Sequence, residues 1–386
     1  MEFRRSRARS RAMLFFLTLF TMAACQQEQA VPDSHTNPGA EPTSVRWNAF
    51  ARGLEGHGHG GVELPTRPLA VLSVAQWAAA EESPAELAVA MAVGAASAEA
   101  LIHLYPERAV QIAEMLEIDR KLAGERGLDE EGQEQAESTG REAAQKVIAQ
   151  VKQEHPNRKA ADPPSAGGWT SAADHEPVGA AWGTMRPWIL ASADAVRPAA
   201  PPQRGSQEFE AELEQVRKAT SQRDQAQLQS AIKWAEASMP GHWNTTAARL
   251  VAEQQVDEGW AARVFAVLNT ALMDAQIACF EAKYVYSYIR PSQADPAIDV
   301  PVELPNFPAY PSGHACISGA AATVLSHYFP ASNEALNAEA EEVAVSRLYA
   351  GVHYPIDNTI GLEMGRRIAE HALAEFERTG IEAALP

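Results

Sequence analysis

Apolar and alanine-rich runs alternate along the chain with short breaks at proline or glycine. The strict two-residue alternation of a half-buried strand is not evident, so the pattern predicts an all-α protein. The first predicted helices run from Leu69 to Ala80, from Ser83-Pro84 (N-cap and first helical residue) to about Leu104, and from Pro106 to Glu117 or beyond. Residues 125–153 predict a more exposed helix, and further helices are predicted near residues 206–220, 222–238, 242–255, 257–284, 313–328, 333–350 and 356–377.

The first 24 residues have the features of a secretory signal peptide, with five arginines, a short apolar run and small residues before Cys25. Residues 25–45 are polar and contain proline, which predicts a tether. Because Pro198–Pro202 marks the clearest internal boundary, we expect an N-terminal helical region at 46–197 and a C-terminal helical domain at 198–386.

The sequence Ala23-Ala24-Cys25 resembles a bacterial lipobox, which implies cleavage before Cys25 and a lipid on its thiol. The resemblance, with Gln26 after the cysteine, implies an outer-membrane lipoprotein of the cell envelope that faces the periplasm. A plain secreted protein with a chance cysteine remains the alternative.

The charge of the chain argues against two classes of partner. The formal net charge is −18, and it becomes −22 once residues 1–24, with five arginines and one glutamate, are removed. Such an acidic surface argues against binding to nucleic acid and against electrostatic docking on anionic lipid. The His57-Gly-His59 pair lies among glycines, so a solvated loop is favoured over a metal site.

Candidate chemistry is concentrated in three segments of the C-terminal half. Pro311-Ser312-Gly313-His314 stands directly before an apolar run, and the N–H groups of a helix start can bind an anion. Upstream, Lys283 and Arg290 are seven positions apart, which predicts one shared helix face. Downstream lie Arg347, His353 and Asp357. Three cations beside two histidines favour a tetrahedral oxyanion over a carboxylate.

The three segments read K-x6-R-P, P-S-G-H and S-R-x5-H-x3-D, in this order. They resemble the signature of the superfamily that unites type-2 phosphatidic acid phosphatases, bacterial class A acid phosphatases and vanadium-dependent haloperoxidases. The resemblance implies an enzyme built from helical bundles, with the oxyanion site between core helices of the C-terminal half. It implies oxyanion binding by Lys283, Arg290, Ser312, Gly313 and Arg347.

The same resemblance implies two possible reactions at one pocket. In both, Asp357 orients His353, and His314 is the acid–base partner. In a phosphatase without a cofactor, His353 would attack a phosphate monoester and His314 would protonate the leaving alcohol. In a haloperoxidase with vanadate as cofactor, His353 would ligate vanadium, while Lys283 would polarise hydrogen peroxide for attack by halide.

Residues outside the signature favour the haloperoxidase branch. The run Phe307-Pro-Ala-Tyr310 is similar to that branch, which implies that Phe307 lies near the halide, and Pro240 to Asn244 looks like the longer haloperoxidase-type members. The membrane-spanning phosphatase type is disfavoured because no uninterrupted apolar stretch of about 20 residues is evident. A non-catalytic oxyanion-binding lipoprotein is a third reading, and it would need neither His314 nor the His353–Asp357 pair. Buried free thiols are favoured for Cys279 and Cys316, although a disulfide remains open.

Overall fold

The computed structural model describes residues 41–54, 65–83, 85–152, 168–172 and 175–384. The described residues form thirteen α-helices and no strand, with one isolated bridge between Gly168 and Tyr288, so the all-α prediction is confirmed. The predicted signal peptide, Cys25, most of the tether and the His57/His59 pair lie outside the described residues.

The helices are α1 (Thr43–Leu54), α2 (Arg67–Glu82), α3 (Glu86–Leu104), α4 (Ala109–Glu125), α5 (Glu130–Val151), α6 (Gln207–Ser221), α7 (Gln225–Glu236), α8 (Met239–Gln254), α9 (Glu258–Tyr286), α10 (Pro291–Ala294), α11 (Gly313–Tyr328), α12 (Asn333–Tyr349) and α13 (Pro355–Thr379).

Helix α9 is the central element of the fold. It has 29 residues and is buried along most of its length, as expected for a core helix. Asp257 caps its start by accepting a hydrogen bond from the N–H of Trp260 at 2.8 Å. Helices α2, α11 and α13 pack around it, and Lys283 in its last turn is fully buried, whereas Val285 near its end is exposed.

Helices α11 and α13 approach each other through glycines. A Cβ added to Gly365 would lie 2.1 Å from the carbonyl oxygen of Cys316, and one added to Gly361 would lie 2.7 Å from that of Ser312. Because only glycine permits this backbone contact, the start of α11 is held beside the first turn of α13. That contact places the Ser312-Gly313-His314 segment next to Asp357.

Two N-terminal boundaries differ from the sequence prediction. Helix α1 begins at Thr43, inside the segment predicted as a tether, because the N–H groups of Thr43 and Ser44 are bound by the buried carboxylate of Glu258. Helix α3 is capped by Ala85 without a side-chain hydrogen bond, whereas Ser83 instead ends α2. The first difference comes from a long-range contact that a local cap pattern does not encode.

Two helices among the described residues, Glu86–Leu104 and Glu258–Tyr286, are long and apolar enough to cross a membrane by length and composition alone. Neither is an uninterrupted apolar run, because Glu99 lies within the first and Asp274 within the second. Their most apolar windows are 61% and 94% buried inside the protein, respectively. Since core helices pass the same test, the length of α3 and α9 alone is weak support for a membrane span.

The segment Pro198–Pro202, which was predicted as a domain boundary, is hydrogen-bonded to residues of the C-terminal half. The hydroxyl of Tyr288 donates to the carbonyl of Pro202 at 2.9 Å, and that of Tyr310 donates to Ala199 at 2.8 Å. The largest apolar core draws residues from both sides of this segment, from Val45 to Ala384. The division into two helical regions stays a prediction.

Candidate active site

The three motif segments meet at the ends of four helices. Lys283 lies in the last turn of α9, Ser312 caps the start of α11, Arg347 lies in the last turn of α12 and Asp357 lies in the first turn of α13. His353 lies in the loop that joins α12 to α13. The structure therefore brings together residues that are up to 74 positions apart in sequence, counted from Lys283 to Asp357.

The relation predicted between Lys283 and Arg290 is wrong in its local structure. Helix α9 ends at Tyr286, where Ser287 adopts a left-handed conformation with φ 47°. Arg290 is extended and caps the short helix α10, as expected for a residue before proline. The two cations reach the same place from a helix and from an extended segment.

The ammonium group of Lys283 is fully buried and is surrounded by main-chain oxygens. Its Nζ lies 3.0 Å from the carbonyl oxygen of Pro308, 2.9 Å from that of Ala309 and 2.5 Å from that of Pro311. Burial lowers the pKa of Lys283 to about 8. The neutral carbonyls of the loop that leads into α11 thus hold this cation of α9.

The guanidinium of Arg290 is bound in a similar way. Its Nε donates to the carbonyl of Phe307 at 3.0 Å, and its Nη1 donates to that of Val352 at 2.7 Å. Its Nη2 is buried and has no hydrogen-bond partner in the described part of the chain. Burial lowers the pKa of Arg290 to about 10, so the side chain stays charged at neutral pH.

Arg347 completes the cationic cluster from the side of α12. Its Nη2 donates to the carbonyl of Ala231 at 2.5 Å, and its Nε lies 2.9 Å from the hydroxyl of Ser346. Burial lowers its pKa to about 10. Among the described residues, none of Lys283, Arg290 and Arg347 forms an ion pair with a carboxylate. The cluster therefore holds buried positive charge that the protein itself leaves largely uncompensated.

The imidazole of His353 is oriented by a buried carboxylate. Its Nδ1 lies 2.9 Å from Oδ2 of Asp357, which also accepts from the N–H of Tyr354 at 3.1 Å. Its Nε2 lies 3.2 Å from Nη1 of Arg290. Since Arg290 can only donate, Nε2 carries the lone pair and Nδ1 the proton.

Burial and charge together keep His353 neutral. Its pKa lies well below the usual value, first because of burial and then because of the charges of Arg290 and Lys283. Burial raises the pKa of Asp357 to about 7. His353 thus presents an unprotonated Nε2 to the neighbouring cationic side chains.

His314 is half-buried at the start of α11 and has a fixed tautomer. Its Nε2 lies 2.8 Å from the carbonyl oxygen of Trp234, which can only accept, so Nε2 carries the proton and Nδ1 the lone pair. Burial, followed by the charge of Arg347, lowers the pKa of His314 to about 3. Beside it, a Cβ added to Gly313 would meet, outside its own helix, only Cε of Lys283 at 3.9 Å, so this side of the site is open.

Phe307 forms one wall of the cationic cluster. Nζ of Lys283 lies 4.9 Å and Cζ of Arg290 lies 5.0 Å from the centre of its ring, which are cation–π distances. Behind it stands Phe280, at 5.1 Å between ring centres. The half-buried ring thus contacts both cations without adding charge.

Two cysteines lie next to the loop that leads into α11. Cys279 and Cys316 are buried free thiols, as the sequence analysis favoured, and they are hydrogen-bonded to each other. Sγ of Cys279 lies 3.8 Å from the carbonyl oxygen of Pro311, the same oxygen that Lys283 contacts.

Sequence reasoning missed the contribution of α7. The carbonyls of Ala231 and Trp234 bind Arg347 and His314, yet a main-chain oxygen has no side-chain signature. The Pro240–Asn244 run gave an indirect signal, because His242 packs its ring edge against Trp234 at 4.8 Å between ring centres.

Comparison with known proteins agrees with the motif resemblance. Residues 263–376 match the PAP2 superfamily, a range that includes all three motif segments. No curated protein sequence matches the chain.

Three solved structures are similar over most of the chain. A bacterial vanadium-dependent iodoperoxidase has a TM-score of 0.68 and 19% identity, covering 86% of this chain and 94% of that one. The apo form of a bacterial vanadium-dependent chloroperoxidase has a TM-score of 0.65 and 13% identity, covering 85% of this chain and 96% of that one. The holo form of a bacterial vanadium-dependent chloroperoxidase has a TM-score of 0.64 and 12% identity, covering 84% of this chain and 94% of that one. At these identities the likeness shows a shared fold, the all-α fold seen in vanadium-dependent haloperoxidases, and residues 263–376 are the part of this chain that matches the PAP2 superfamily.

Proposed function

We propose that this protein is a vanadium-dependent haloperoxidase-type enzyme, which binds vanadate or phosphate and oxidises halide with hydrogen peroxide. One observation carries the proposal: three buried cations that lack a carboxylate partner among the described residues lie near His353, whose unprotonated Nε2 is 3.2 Å from Nη1 of Arg290. An arrangement of this kind needs an anionic ligand to offset the cost of burying the charge.

The donors fit a tetrahedral oxyanion. The buried Nη2 of Arg290 has no partner in the described residues, and the absent Cβ of Gly313 leaves room for a ligand oxygen. Ser312, the N-cap of α11, sets the first N–H groups of that helix toward the same region. Each hydrogen bond to a charged group is worth about 1.5–3 kcal/mol, so several of them would hold a multiply charged anion firmly.

Vanadate would be held by the three cations, by Ser312 and Gly313, and by Nε2 of His353 as its ligand. Asp357 would keep the proton of His353 on Nδ1 and so preserve the lone pair on Nε2. Bound vanadate would supply a Lewis-acidic centre that activates hydrogen peroxide toward halide. Lys283 and the ring of Phe307 would line the side from which the small reactants approach.

The protonation state of His314 favours this reaction over phosphate ester hydrolysis. With its proton fixed on Nε2, the lone pair on Nδ1 is free to accept a proton from hydrogen peroxide. A phosphatase needs His314 as an acid that protonates the leaving alcohol, and the low pKa of His314 works against that role. A bound dianion would raise this pKa, so the balance between the two reactions is decided by experiment.

The alternative is a periplasmic acid phosphatase that forms a phosphohistidine. Nε2 of His353 would attack phosphorus, the bond from phosphorus to the alcohol oxygen would break, and His314 would supply the proton to that oxygen. The same cations would stabilise the phosphoryl oxygens. This reading shares every residue with the first and differs in the reaction that follows anion binding.

Reconstitution separates the candidates. The purified protein is loaded with orthovanadate and given hydrogen peroxide with iodide, bromide or chloride, and halogenation of an indicator dye is followed. In parallel, hydrolysis of p-nitrophenyl phosphate is measured with and without vanadate. We expect vanadate-dependent halogenation. Hydrolysis that vanadate only inhibits would establish the phosphatase instead.

Two variants serve as controls for this experiment. His353→Ala should abolish whichever reaction is found, because both need its Nε2. If His314→Ala retained full activity in both assays, neither mechanism would stand. The protein would then be better described as a non-catalytic oxyanion-binding protein.

We further propose that Cys25 carries a lipid that anchors the enzyme to the outer membrane, facing the periplasm. The support is the sequence around Cys25, which lies outside the described residues. Metabolic labelling with a fatty acid should mark the wild-type chain and leave Cys25→Ala unlabelled, and fractionation of the envelope should find the wild type with the outer membrane.

A further inference from the structure

We propose that Trp234 is a positioning residue: its main-chain carbonyl, fixed through a side-chain hydrogen bond to Glu342, determines which nitrogen of His314 carries the proton. The inference rests on the proposed function only for the catalytic role of His314. The assignment of the proton itself can be tested in the absence of any activity.

The contact with His314 comes from the end of a helix. Trp234 lies in the last turn of α7, where carbonyl groups lack a partner within the helix. Its oxygen lies 2.8 Å from Nε2 of His314. The C-terminal end of a helix also carries partial negative charge, which favours an N–H donor at this point.

The side chain of Trp234 is held on several sides. Its buried indole donates from Nε1 to Oε1 of Glu342 on α12 at 2.8 Å. Nζ of Lys233 lies 4.0 Å from the ring centre. The ring of His242 on α8 packs edge-on at 4.8 Å and is itself bound to Glu339 at 3.0 Å. Helices α8 and α12 therefore fix the position of the α7 terminus.

The arrangement does more than fill space. Glu342 satisfies the buried indole N–H of Trp234 and, because it lies on α12, also fixes the position of the ring relative to that helix. The same stretch of α7 also binds Arg347 through the carbonyl of Ala231. Within the described part of the chain, Lys283, Arg290 and His353 make no hydrogen bond to α7, so a disturbed Trp234 should affect His314 more than anion binding.

This proposal also gives the Pro240–Asn244 run a structural role. His242 supports Trp234, and the next residue, Trp243, donates from its indole to the hydroxyl of Ser318, one turn beyond His314 on α11. The run therefore supports the environment of His314 from two sides, although none of its side chains has a described contact with His314 itself.

The test uses Glu342, whose side chain is about half exposed, so that its replacement leaves the core intact. Glu342→Ala removes the acceptor for the indole, whereas Glu342→Gln retains an amide oxygen at that place. Glu341→Ala, on the exposed neighbouring position, is the matched control. Trp234→Phe keeps a six-membered aromatic ring and the main-chain carbonyl, and removes the indole N–H together with the pyrrole ring that carries it.

The first readout is the tautomer of His314, measured by imidazole ¹⁵N NMR on the mature chain and assigned with His314→Asn. We expect Nε2–H in the wild type, Glu342→Gln and Glu341→Ala, and a mixture of tautomers in Glu342→Ala and Trp234→Phe. An unchanged Nε2–H signal in both of the latter variants would overturn the proposal, whether or not the protein is a peroxidase.

The second readout is kinetic. Loss of a residue that orients a reacting group typically lowers activity by about 10- to 100-fold. We expect Glu342→Ala to lower kcat by about 10-fold while the Kd for orthovanadate changes by less than about 2-fold, and Glu342→Gln to restore kcat. Equal losses in the Ala and Gln variants, or a parallel loss of vanadate affinity, would show that Glu342 acts only on stability.

Discussion

Nδ1 of His353 lies 2.9 Å from Oδ2 of Asp357, and both side chains are buried beside a cluster of cations. The contact fixes the proton on Nδ1 and leaves Nε2 unprotonated. A carboxylate in this place also stabilises the positive charge that develops on the ring when Nε2 binds an electrophilic centre. The pair thus converts an ordinary histidine into a directed ligand or nucleophile.

Asp357→Ala should therefore weaken vanadate binding or turnover by about 10- to 100-fold, the usual cost of losing such a partner. Asp357→Asn should cost less, because an amide oxygen can still accept from Nδ1 of His353 and from the N–H of Tyr354. Equilibrium dialysis with vanadate and initial rates would measure both effects. An Asp357→Ala protein that matched the wild type would contradict the assigned role.

Removal of Arg290 should weaken oxyanion binding specifically. One hydrogen bond to a charged group is worth about 1.5–3 kcal/mol, which corresponds to roughly 10- to 100-fold in the Kd of Arg290→Gln. Arg290→Lys should fall between wild type and Arg290→Gln, since lysine keeps the charge and lacks the planar fork. Calorimetric titration with phosphate measures these constants, and Arg249→Gln, at an exposed surface pair, is the control. Equal effects at positions 290 and 249 would argue against a local site.

Oxyanion affinity should fall as the pH rises through about 8. Burial lowers the pKa of Lys283 to about 8, so its ammonium is present below that pH and is lost above it. A bound anion stabilises the ammonium and moves the midpoint upward. Tungstate is a suitable probe because its charge is constant in alkaline solution. Lys283→Arg should flatten the profile, and identical profiles for the two proteins would assign the titration to another group.

The sequence predicted which residues come together better than it predicted the local backbone that carries them. The motif residues and helices α11 to α13 follow from spacing and apolar patterning, because cap and core positions are encoded locally. The break at Ser287 was not foreseen, since seven-residue spacing is compatible with a helix and a non-glycine left-handed residue is rare. The carbonyls of Ala231 and Trp234 could not be foreseen at all, because which main-chain oxygen meets a distant side chain depends on how helices pack.

The close contact of α11 and α13 makes a prediction about stability. A Cβ at Gly365 would lie 2.1 Å from the carbonyl oxygen of Cys316, so Gly365→Ala must push the helices apart. Overpacking of this kind costs about 1–3 kcal/mol, and the free energy of unfolding in urea should fall accordingly. Gly53→Ala is the matched control, because an added Cβ there meets nothing within 4 Å. Oxyanion affinity should fall with Gly365→Ala as well, since the same contact aligns Ser312 with Asp357.

Phe307 offers a test of the pocket wall that leaves every charge in place. Its ring lies 4.9 Å from Nζ of Lys283 and 5.0 Å from Cζ of Arg290, and a cation–π contact is worth about 0.5–2 kcal/mol. Phe307→Leu keeps the main-chain carbonyl that Arg290 uses and removes the aromatic face. We expect weaker vanadate binding by about 2- to 30-fold, together with a changed KM for halide.

Phe307→Tyr is the matched control, because it retains the aromatic face and should bind vanadate as the wild type does. Thermal unfolding should be similar for both variants, since the ring is only half-buried against Phe280. If leucine supported the same vanadate affinity and halide KM as phenylalanine, the ring would serve only to exclude water from the two cations. The anion would then be held by the charges and hydrogen bonds of Lys283 and Arg290 without help from the wall.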